Sequence, residues 1–292
     1  MIDIMDNKDG IIWLNGDFIP WKQATTHLLN HSLHYSGAVY EGIRCYNSKP
    51  FKLTEHIERL FISAKTLNLE HTYSQNDLID VIQKIIQTNN LTNAYIRPLI
   101  FRGCETMSIY TDVLSCNVMI CGFNFIHRLN NLEINLKISQ WCKPHPKSIP
   151  PNCKTSSNYG MVVGINKQIM KDGFNDALFL DYQGFVAEVS CSNIFFVKND
   201  ELFTPIADTF LNGITRQTII QIAKNIGIKT HEVRIHTHEL SDFSECFITG
   251  TSSEVKPVTS ITTLDEKKIE FSKKKIGCLL KEKYIELVSK TN

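Results

Sequence analysis

The segment FLNGITRQTIIQIAKNIGI, residues 210–228, constrains the fold of this chain more than any other stretch. Gly213 permits a tight backbone turn, and Thr215 is placed to cap the helix that follows. Apolar residues then recur at helical spacing, and Gly227 stands where helices commonly end. The N–H groups of such a first turn, with the positive end of the helix dipole, suit a phosphate group. A capped surface helix without a ligand has the same pattern, so other motifs must decide between the two.

The composition indicates a globular protein that binds a small molecule. The 292 residues, 42% of them hydrophobic, can bury a large core, and 31 basic against 30 acidic residues leave a formal charge of +1. Such a balance favours neither nucleic acid nor an anionic membrane as a partner. The nine cysteines include no C-x-x-C pair, which is typical of reduced thiols. The acidic start and the lack of a long apolar run predict a cytoplasmic protein.

The first half of the chain predicts a hairpin, two helices and a sheet. Short apolar strands flank Asn15 and Gly16, a strong signal for a β-hairpin. Thr54 begins a helix with one apolar stripe, and Ser74 with Asp77 caps a second helix. Two further strands are predicted in AYIRPLIF and NVMICGF.

The second half predicts a domain dominated by strands. A strand near 134–139 precedes a proline-rich loop and a helix over 158–172. Further strands are predicted in DALFLD, GFVAEV, NIFFVKN, ELFTP, IKTHEV and ECFITG, and a last helix over 273–289.

The order of these elements favours an α+β fold with two domains over a doubly wound fold, because tight turns join several of the strands. We expect a smaller N-terminal α/β domain at 1–125 and a larger, β-rich C-terminal domain with flanking helices at 134–292. The polar stretch at 127–131 predicts an interdomain linker over 126–133.

Five motifs in this order resemble the fold-type IV aminotransferases that use pyridoxal 5'-phosphate (PLP). They are LTEHIERL at 53–60, CKTSSNY at 153–159, FVAEVSCSNIF at 185–195, LNGITR at 211–216 and ITGTSSEVKPV at 248–258. HYSGAVYEGIRCY at 34–46 and AYIRPLIF at 94–101 are similar to the branched-chain amino-acid aminotransferases within that group. The resemblance implies a two-domain fold-type IV PLP enzyme.

An enzyme of this type must link the PLP aldehyde to a lysine and keep the ring nitrogen protonated. The resemblance implies that Lys154 is the linking lysine and also the catalytic acid and base. Glu188 matches the carboxylate that faces the ring nitrogen, where its negative charge favours the protonated form. Tyr159 matches the residue that supports the ring oxygen of the cofactor.

The phosphate of PLP is expected to lie among three separate segments. Thr251 and Ser252 follow Gly250 after a predicted strand, and such a turn offers donors to a phosphate or to a substrate carboxylate. The residues assigned to the phosphate are Arg59, Gly213, Ile214, Thr215 and Thr251, whereas Thr251 and Ser252 are also assigned to the substrate.

Substrate choice is assigned to the first half of the chain. A branched aliphatic side chain and the γ-carboxylate of glutamate must share one pocket, which requires apolar walls and one placed cation. By resemblance, Tyr95 binds on the α-carboxylate side, Arg97 with Tyr35 binds the γ-carboxylate, and Tyr40 and Gly42 shape the wall. In the family the residue at Tyr35 comes from the neighbouring subunit, so we expect at least a homodimer.

Three histidines also suggest a metal site. His27, His31 and His34 have the spacing i, i+4, i+7, which suits one face of a helix and a zinc ion. No carboxylate or cysteine completes the set, so we expect capping and packing roles and no bound metal.

The sequence thus predicts a PLP-dependent transaminase that exchanges the amino group between leucine, isoleucine or valine and 2-oxoglutarate. A D-amino-acid aminotransferase or an aminodeoxychorismate lyase of the same fold remains an alternative. A PLP-binding protein without turnover is the alternative outside catalysis.

Overall fold

The computed structural model describes Met5 and residues 8–125 and 133–290, which form two compact units. The described residues up to Phe125, together with Cys153–Ser157, belong to the first unit. The described residues at 133–152 and 158–290 belong to the second. The predicted linker at 126–133 lies, apart from Glu133, outside the described residues, so its bounds stay a prediction.

The first unit has, within its described part, one sheet of seven strands. These are β1 (Ile11–Leu14), β2 (Asp17–Pro20), β3 (Ala38–Tyr40), β4 (Ile43–Tyr46), β5 (Lys49–Pro50), β6 (Ala94–Arg102) and β7 (Cys116–Asn124). Their order is β2-β1-β7-β6-β4-β5, with β3 also paired to β6. The pairings are antiparallel, as expected where short turns join neighbouring strands.

The predicted hairpin is confirmed at β1 and β2. Leu14 pairs with Asp17, and the two residues between them, Asn15 and Gly16, have φ angles of 51° and 109°. Two successive positive φ angles match the twist of the flanking strands, and asparagine and glycine adopt them at low cost.

Three helices accompany the first sheet: α1 (His31–Tyr35), α2 (Leu53–Thr66) and α3 (Gln75–Thr88). The predicted cap of α3 is confirmed, because Ser74 Oγ accepts from Asp77 N and the Asp77 carboxylate accepts from Ser74 N. Helices α2 and α3 contact each other and strands of the sheet. Residues buried between them include Ile57, Leu60, Ile82, Ile85 and Ile96.

The segment Cys153–Ser157 groups with the first unit because its backbone bonds to β3. Ser156 N donates to Ala38 O over 2.9 Å, and Thr155 forms an antiparallel bridge with Val39.

The second unit has nine strands within its described part. They are β8 (Ile134–Ile138), β9 (Asp176–Leu180), β10 (Val186–Val189), β11 (Asn193–Lys198), β12 (Glu201–Pro205), β13 (Thr230–Val233), β14 (Glu245–Gly250), β15 (Glu254–Thr262) and β16 (Lys268–Glu270). Their order is β10-β9-β8-β15-β14-β11-β12-β13, and a further pairing of β10 with β11 closes part of this sheet into a ring. Closure removes free strand edges. Strands β15 and β16 were not predicted from the sequence.

The helices of the second unit are α4 (Ser157–Lys171), α5 (Ile214–Asn225) and α6 (Lys275–Ser289). Gly227 follows the end of α5 with a φ angle of 79°, which confirms the predicted C-terminal glycine. Mixed helix and strand content with parallel and antiparallel pairings confirms the α+β class. Within the described ranges, every helix is too short or too polar to cross a membrane.

Candidate active site

The backbone at Lys154 is held on both sides by the first unit. Lys154 N donates to Ser63 Oγ over 3.0 Å, and Tyr40 N donates to Lys154 O over 3.1 Å. The preceding Cys153 is fully buried, whereas the Lys154 side chain is partly exposed. A fixed backbone with a partly accessible amine is the arrangement that a covalently linking lysine requires.

The Tyr40 ring lies beside two cations. Lys154 Nζ is 5.1 Å from the ring centroid, and the Arg97 Cζ is 4.4 Å from it. A tyrosine face attracts a cation at either distance, so the ring orders both side chains. The first unit therefore brings together three residues that the sequence assigned to linkage, substrate wall and γ-carboxylate.

Strand β6 presents Tyr95 and Arg97 on one face. Its burial alternates along the strand, with Ala94 and Ile96 fully buried and Tyr95 and Arg97 partly exposed. Arg97 Nη2 donates to Tyr95 Oη over 3.3 Å. A Cβ atom at Gly42 would lie 1.8 Å from Tyr95 Oη, so only glycine leaves room for this hydroxyl.

Arg59 is held by a buried carboxylate that the sequence analysis did not select. Glu41 Oε1 accepts from Arg59 Nε over 2.6 Å, and Glu41 Oε2 accepts from Arg59 Nη2 over 3.0 Å and from His56 Nδ1 over 2.6 Å. The signal was present, because His56 and Arg59 are three residues apart on α2 and share a face.

The pKa of Glu41 reflects these partners. Burial by itself raises the pKa of this carboxyl, but the charges and hydrogen bonds of Arg59 and His56 outweigh burial and hold the pKa well below its usual range. Glu41 is therefore an anion in the folded protein.

In the second unit, Glu188 is buried on β10 beside a shift in strand register. Lys143 Nζ lies 2.8 Å from Glu188 Oε1, and both side chains are more than nine-tenths buried. Asn193 Nδ2 donates to Glu188 Oε2 over 3.3 Å. Lys143 and Asn193 are neighbours of the site that the sequence assignment did not include.

The turn before α5 is fixed by Asn193. Gly213 N donates to Asn193 Oδ1 over 3.1 Å, and a Cβ at Gly213 would lie 2.2 Å from that oxygen. The second unit thus connects Glu188 to the turn at Gly213 through one asparagine. The predicted cap at Thr215 is wrong, because α5 starts at Ile214 with Gly213 as its N-cap residue and has no side-chain cap. Thr215 instead lies buried in the first turn.

The other assigned residues have these positions. Tyr159 is in the first turn of α4, and Thr251 and Ser252 lie in the turn between β14 and β15. Tyr35 ends α1 with 44% of its surface exposed, and its hydroxyl donates to Met107 O over 3.1 Å.

The histidine set does not share one helix. Helix α1 begins at His31, so His27 lies outside it, and His27 Nδ1 accepts from Leu29 N over 3.1 Å. His34 Nε2 lies 2.9 Å from Leu28 O. No group of three or more metal-binding side chains occurs in the described part of the chain.

Comparison with known proteins identifies the class. Residues 38–261 match the family model described as amino-transferase class IV. The chain belongs to this family, whose fold-type IV architecture agrees with the two units described above.

Relatives within the family are more specific. The chain is 47% identical over 277 residues to the "Probable branched-chain-amino-acid aminotransferase" of Rickettsia conorii, covering 95% of each chain. It is also similar to the branched-chain amino acid aminotransferase of Escherichia coli, with a TM-score of 0.89 and 33% identity over 96% of this chain and 95% of that one.

A branched-chain amino acid aminotransferase abbreviated T.th. in its description has been solved with two ligands. Its complex with 4-methylvaleric acid gives a TM-score of 0.89 at 32% identity, over 98% of this chain and 96% of that one. Its complex with N-(5'-phosphopyridoxyl)-L-glutamate gives a TM-score of 0.88 at 31% identity, with the same coverage.

Proposed function

We propose that this protein is a PLP-dependent branched-chain-amino-acid aminotransferase. It moves the amino group between L-leucine, L-isoleucine or L-valine and 2-oxoglutarate. Its support is the family membership, the names of the relatives and the ligands named for the two T.th. structures.

The donor groups present fit PLP. The first-turn N–H groups of α5 have no intrahelical partner, and the absence of a side-chain cap leaves that role to a ligand. A phosphate suits these donors and the Arg59 guanidinium. Glu188 provides a buried carboxylate for the ring nitrogen, and Lys154 provides an amine for the aldehyde.

When bound, PLP supplies an aldehyde that an amine can join and a ring that draws electrons from the substrate Cα. The chain's own residues do the rest. Lys154 Nζ takes and returns the proton of the substrate Cα. Glu188 keeps its negative charge toward the ring nitrogen, Tyr159 supports the ring oxygen, and Ile214, Thr215 and Thr251 bind the phosphate.

Two kinds of substrate must use one pocket. Arg97, with Tyr35, binds the γ-carboxylate of glutamate, whereas an aliphatic side chain leaves that cation alone. Tyr95 and the turn at Thr251 and Ser252 bind the α-carboxylate side. Tyr40 and Gly42 form the wall.

We propose further that the protein is at least a homodimer in which Tyr35 completes the partner's site, as family resemblance implies. A cytoplasmic location agrees with nine cysteines that are all free thiols.

One observation carries the proposal most directly. The Tyr40 ring contacts both the Lys154 amine and the Arg97 guanidinium, at 5.1 and 4.4 Å. The amine that moves the Cα proton is thereby placed near the cation that recognises glutamate, as a two-substrate transaminase requires.

The test is Lys154→Ala, compared with Lys147→Ala, which removes an exposed lysine of the same loop. Glutamate formation from 2-oxoglutarate is measured with L-leucine and with D-leucine, together with the visible absorbance of covalently attached PLP. We expect Lys154→Ala to lose the absorbance band and at least about 10³-fold in turnover of L-leucine. Lys147→Ala should keep both. Full turnover in Lys154→Ala, or wild-type activity only with D-leucine, would refute the proposal.

A further inference from the structure

The Glu41 carboxylate is the most deeply buried charge near the assigned phosphate arginine. Its side chain has no exposed surface, whereas that of Arg59 is 14% exposed. Both of its oxygens accept hydrogen bonds, from Arg59 Nε and Nη2, from His56 Nδ1 and from Gly42 N. An isolated carboxylate would not remain charged at such a place, so these donors are a condition of its burial.

The contact with Arg59 is made along one edge of the guanidinium. Nε donates to Oε1 over 2.6 Å, and Nη2 donates to Oε2 over 3.0 Å. Two parallel bonds between planar groups set the plane and the rotation of the guanidinium. A lysine, or an arginine without this carboxylate, would keep the positive charge and lose the fixed direction.

Glu41 also connects helix α2 to the substrate side of the first unit. Glu41 N donates to Pro98 O over 3.0 Å, next to Arg97 on β6, and Gly42 N donates to Glu41 Oε2 over 3.2 Å. His56, in the same helix as Arg59, contacts that same oxygen. One residue therefore joins the helix of Arg59 to the strand of Arg97.

We infer that Glu41, assisted by His56, is a positioning residue that fixes the Arg59 guanidinium in the direction in which it binds the phosphate of PLP. The inference rests on the proposed function, because Arg59 is assigned to the phosphate there. Glu41 itself does not touch the cofactor; it acts through Arg59.

The experiment compares two ligands that differ only in the phosphate. Apoprotein is titrated with PLP and with pyridoxal, and dissociation constants are obtained from the absorbance change. Glu41→Gln is compared with Glu58→Gln, which removes an exposed carboxylate one residue before Arg59. We expect Glu41→Gln to weaken PLP binding about ten-fold or more and to change pyridoxal binding less than about three-fold. Glu58→Gln should change neither.

A double-mutant cycle separates positioning from general support of the fold. If Glu41 acts through Arg59, Glu41→Gln has no further effect on PLP binding in an Arg59→Met background. Equal weakening of PLP and pyridoxal, or an undiminished effect of Glu41→Gln in that background, would overturn the inference.

Should Glu41→Gln fail to fold, His56→Leu takes its place in both measurements. We expect a smaller but selective weakening of PLP binding, about three-fold, because one of the Glu41 donors is lost while the Arg59 pair remains. An equal loss for pyridoxal, or no loss for PLP, would again contradict the inference. Wild-type apoprotein that binds neither ligand would instead refute the proposed function, so the two failures are distinguishable.

Discussion

At the scale of single residues, the buried charges of this chain are held in pairs. Glu41 pairs with Arg59, Lys143 with Glu188, and Arg216 Nη2 lies 2.6 Å from Glu232 Oε2. Breaking a buried pair by removing one partner commonly costs about 3–5 kcal/mol, because the other charge is left uncompensated. Conservative variants that keep the pairs intact are therefore the better probes of the site.

Arg97→Met tests the division of labour between the two substrates. Leucine has no side-chain charge, whereas 2-oxoglutarate has a γ-carboxylate that would lose its cation. We expect kcat/KM for 2-oxoglutarate to fall about 100-fold, and that for leucine less than about five-fold. Single-turnover measurements of each half-reaction provide the values.

The leucine half-reaction serves as the internal control for Arg97→Met. Arg97 also contacts the Tyr40 ring and the Tyr95 hydroxyl, so a purely structural effect would slow both half-reactions alike. That outcome would contradict the assigned role.

At the scale of elements, α4 is linked to the adjoining strands by polar contacts around Asp176, the first residue of β9. Ser190 Oγ donates to Asn166 Oδ1 over 2.7 Å, and Asp176 Oδ1 accepts from Ala177 N over 2.8 Å. Burial raises the pKa of Asp176, although hydrogen bonds from Ser190, Ala177 and Asn166 oppose this effect.

This pKa shift predicts a pH dependence of stability. Because the folded chain holds the Asp176 proton more tightly than the unfolded chain does, the stabilising contribution is present below the unfolded pKa of about 3.9. It is lost as pH rises through the folded pKa. We expect Asp176→Asn, which cannot titrate, to stabilise the protein at pH 8 by up to about 1 kcal/mol, with a smaller gain at pH 5.

Urea unfolding at the two pH values measures this difference in free energy. Asp172→Asn, which changes an exposed carboxyl at the end of α4, is the matched control and should show little change. A gain for Asp176→Asn that grows toward low pH would contradict the stated shift.

At the scale of the whole molecule, we proposed a homodimer with shared sites, and mixed subunits test it. Lys154→Ala and Tyr35→Ala chains are each expected to be inactive with glutamate. If Tyr35 acts in the partner's site, a mixed dimer has one site with both residues intact. Random pairing of equal amounts then restores about a quarter of the wild-type activity.

The assay is coexpression of the two chains with different tags, followed by glutamate turnover. Activity that stays at the level of the separate variants would place Tyr35 in the site of its own chain. Lys147→Ala in place of Lys154→Ala is the control for pairing, and each mixed dimer should again contain an intact site.

Much of the fold was predictable because local signals agreed with it. The hairpin at Asn15 and Gly16, the cap at Ser74 and the helix end at Gly227 depend on residues only a few positions apart. Strand β15, which contains Pro257, and the short β16 were missed, because their place depends on partners distant in the chain. Thr215 was misplaced as a cap because capping by threonine and by glycine predicts helix starts two residues apart.

The sequence by itself determined the order of the motifs, the family and the types of chemical group at the candidate site. These follow from residue identity and short spacing, which the printed chain contains in full. Only the tertiary structure decided which groups are partners, such as Glu41 with Arg59 and Asn193 with Gly213. A buried polar group bonds to whichever donor the fold brings within about 3 Å, and sequence separation does not contain that distance.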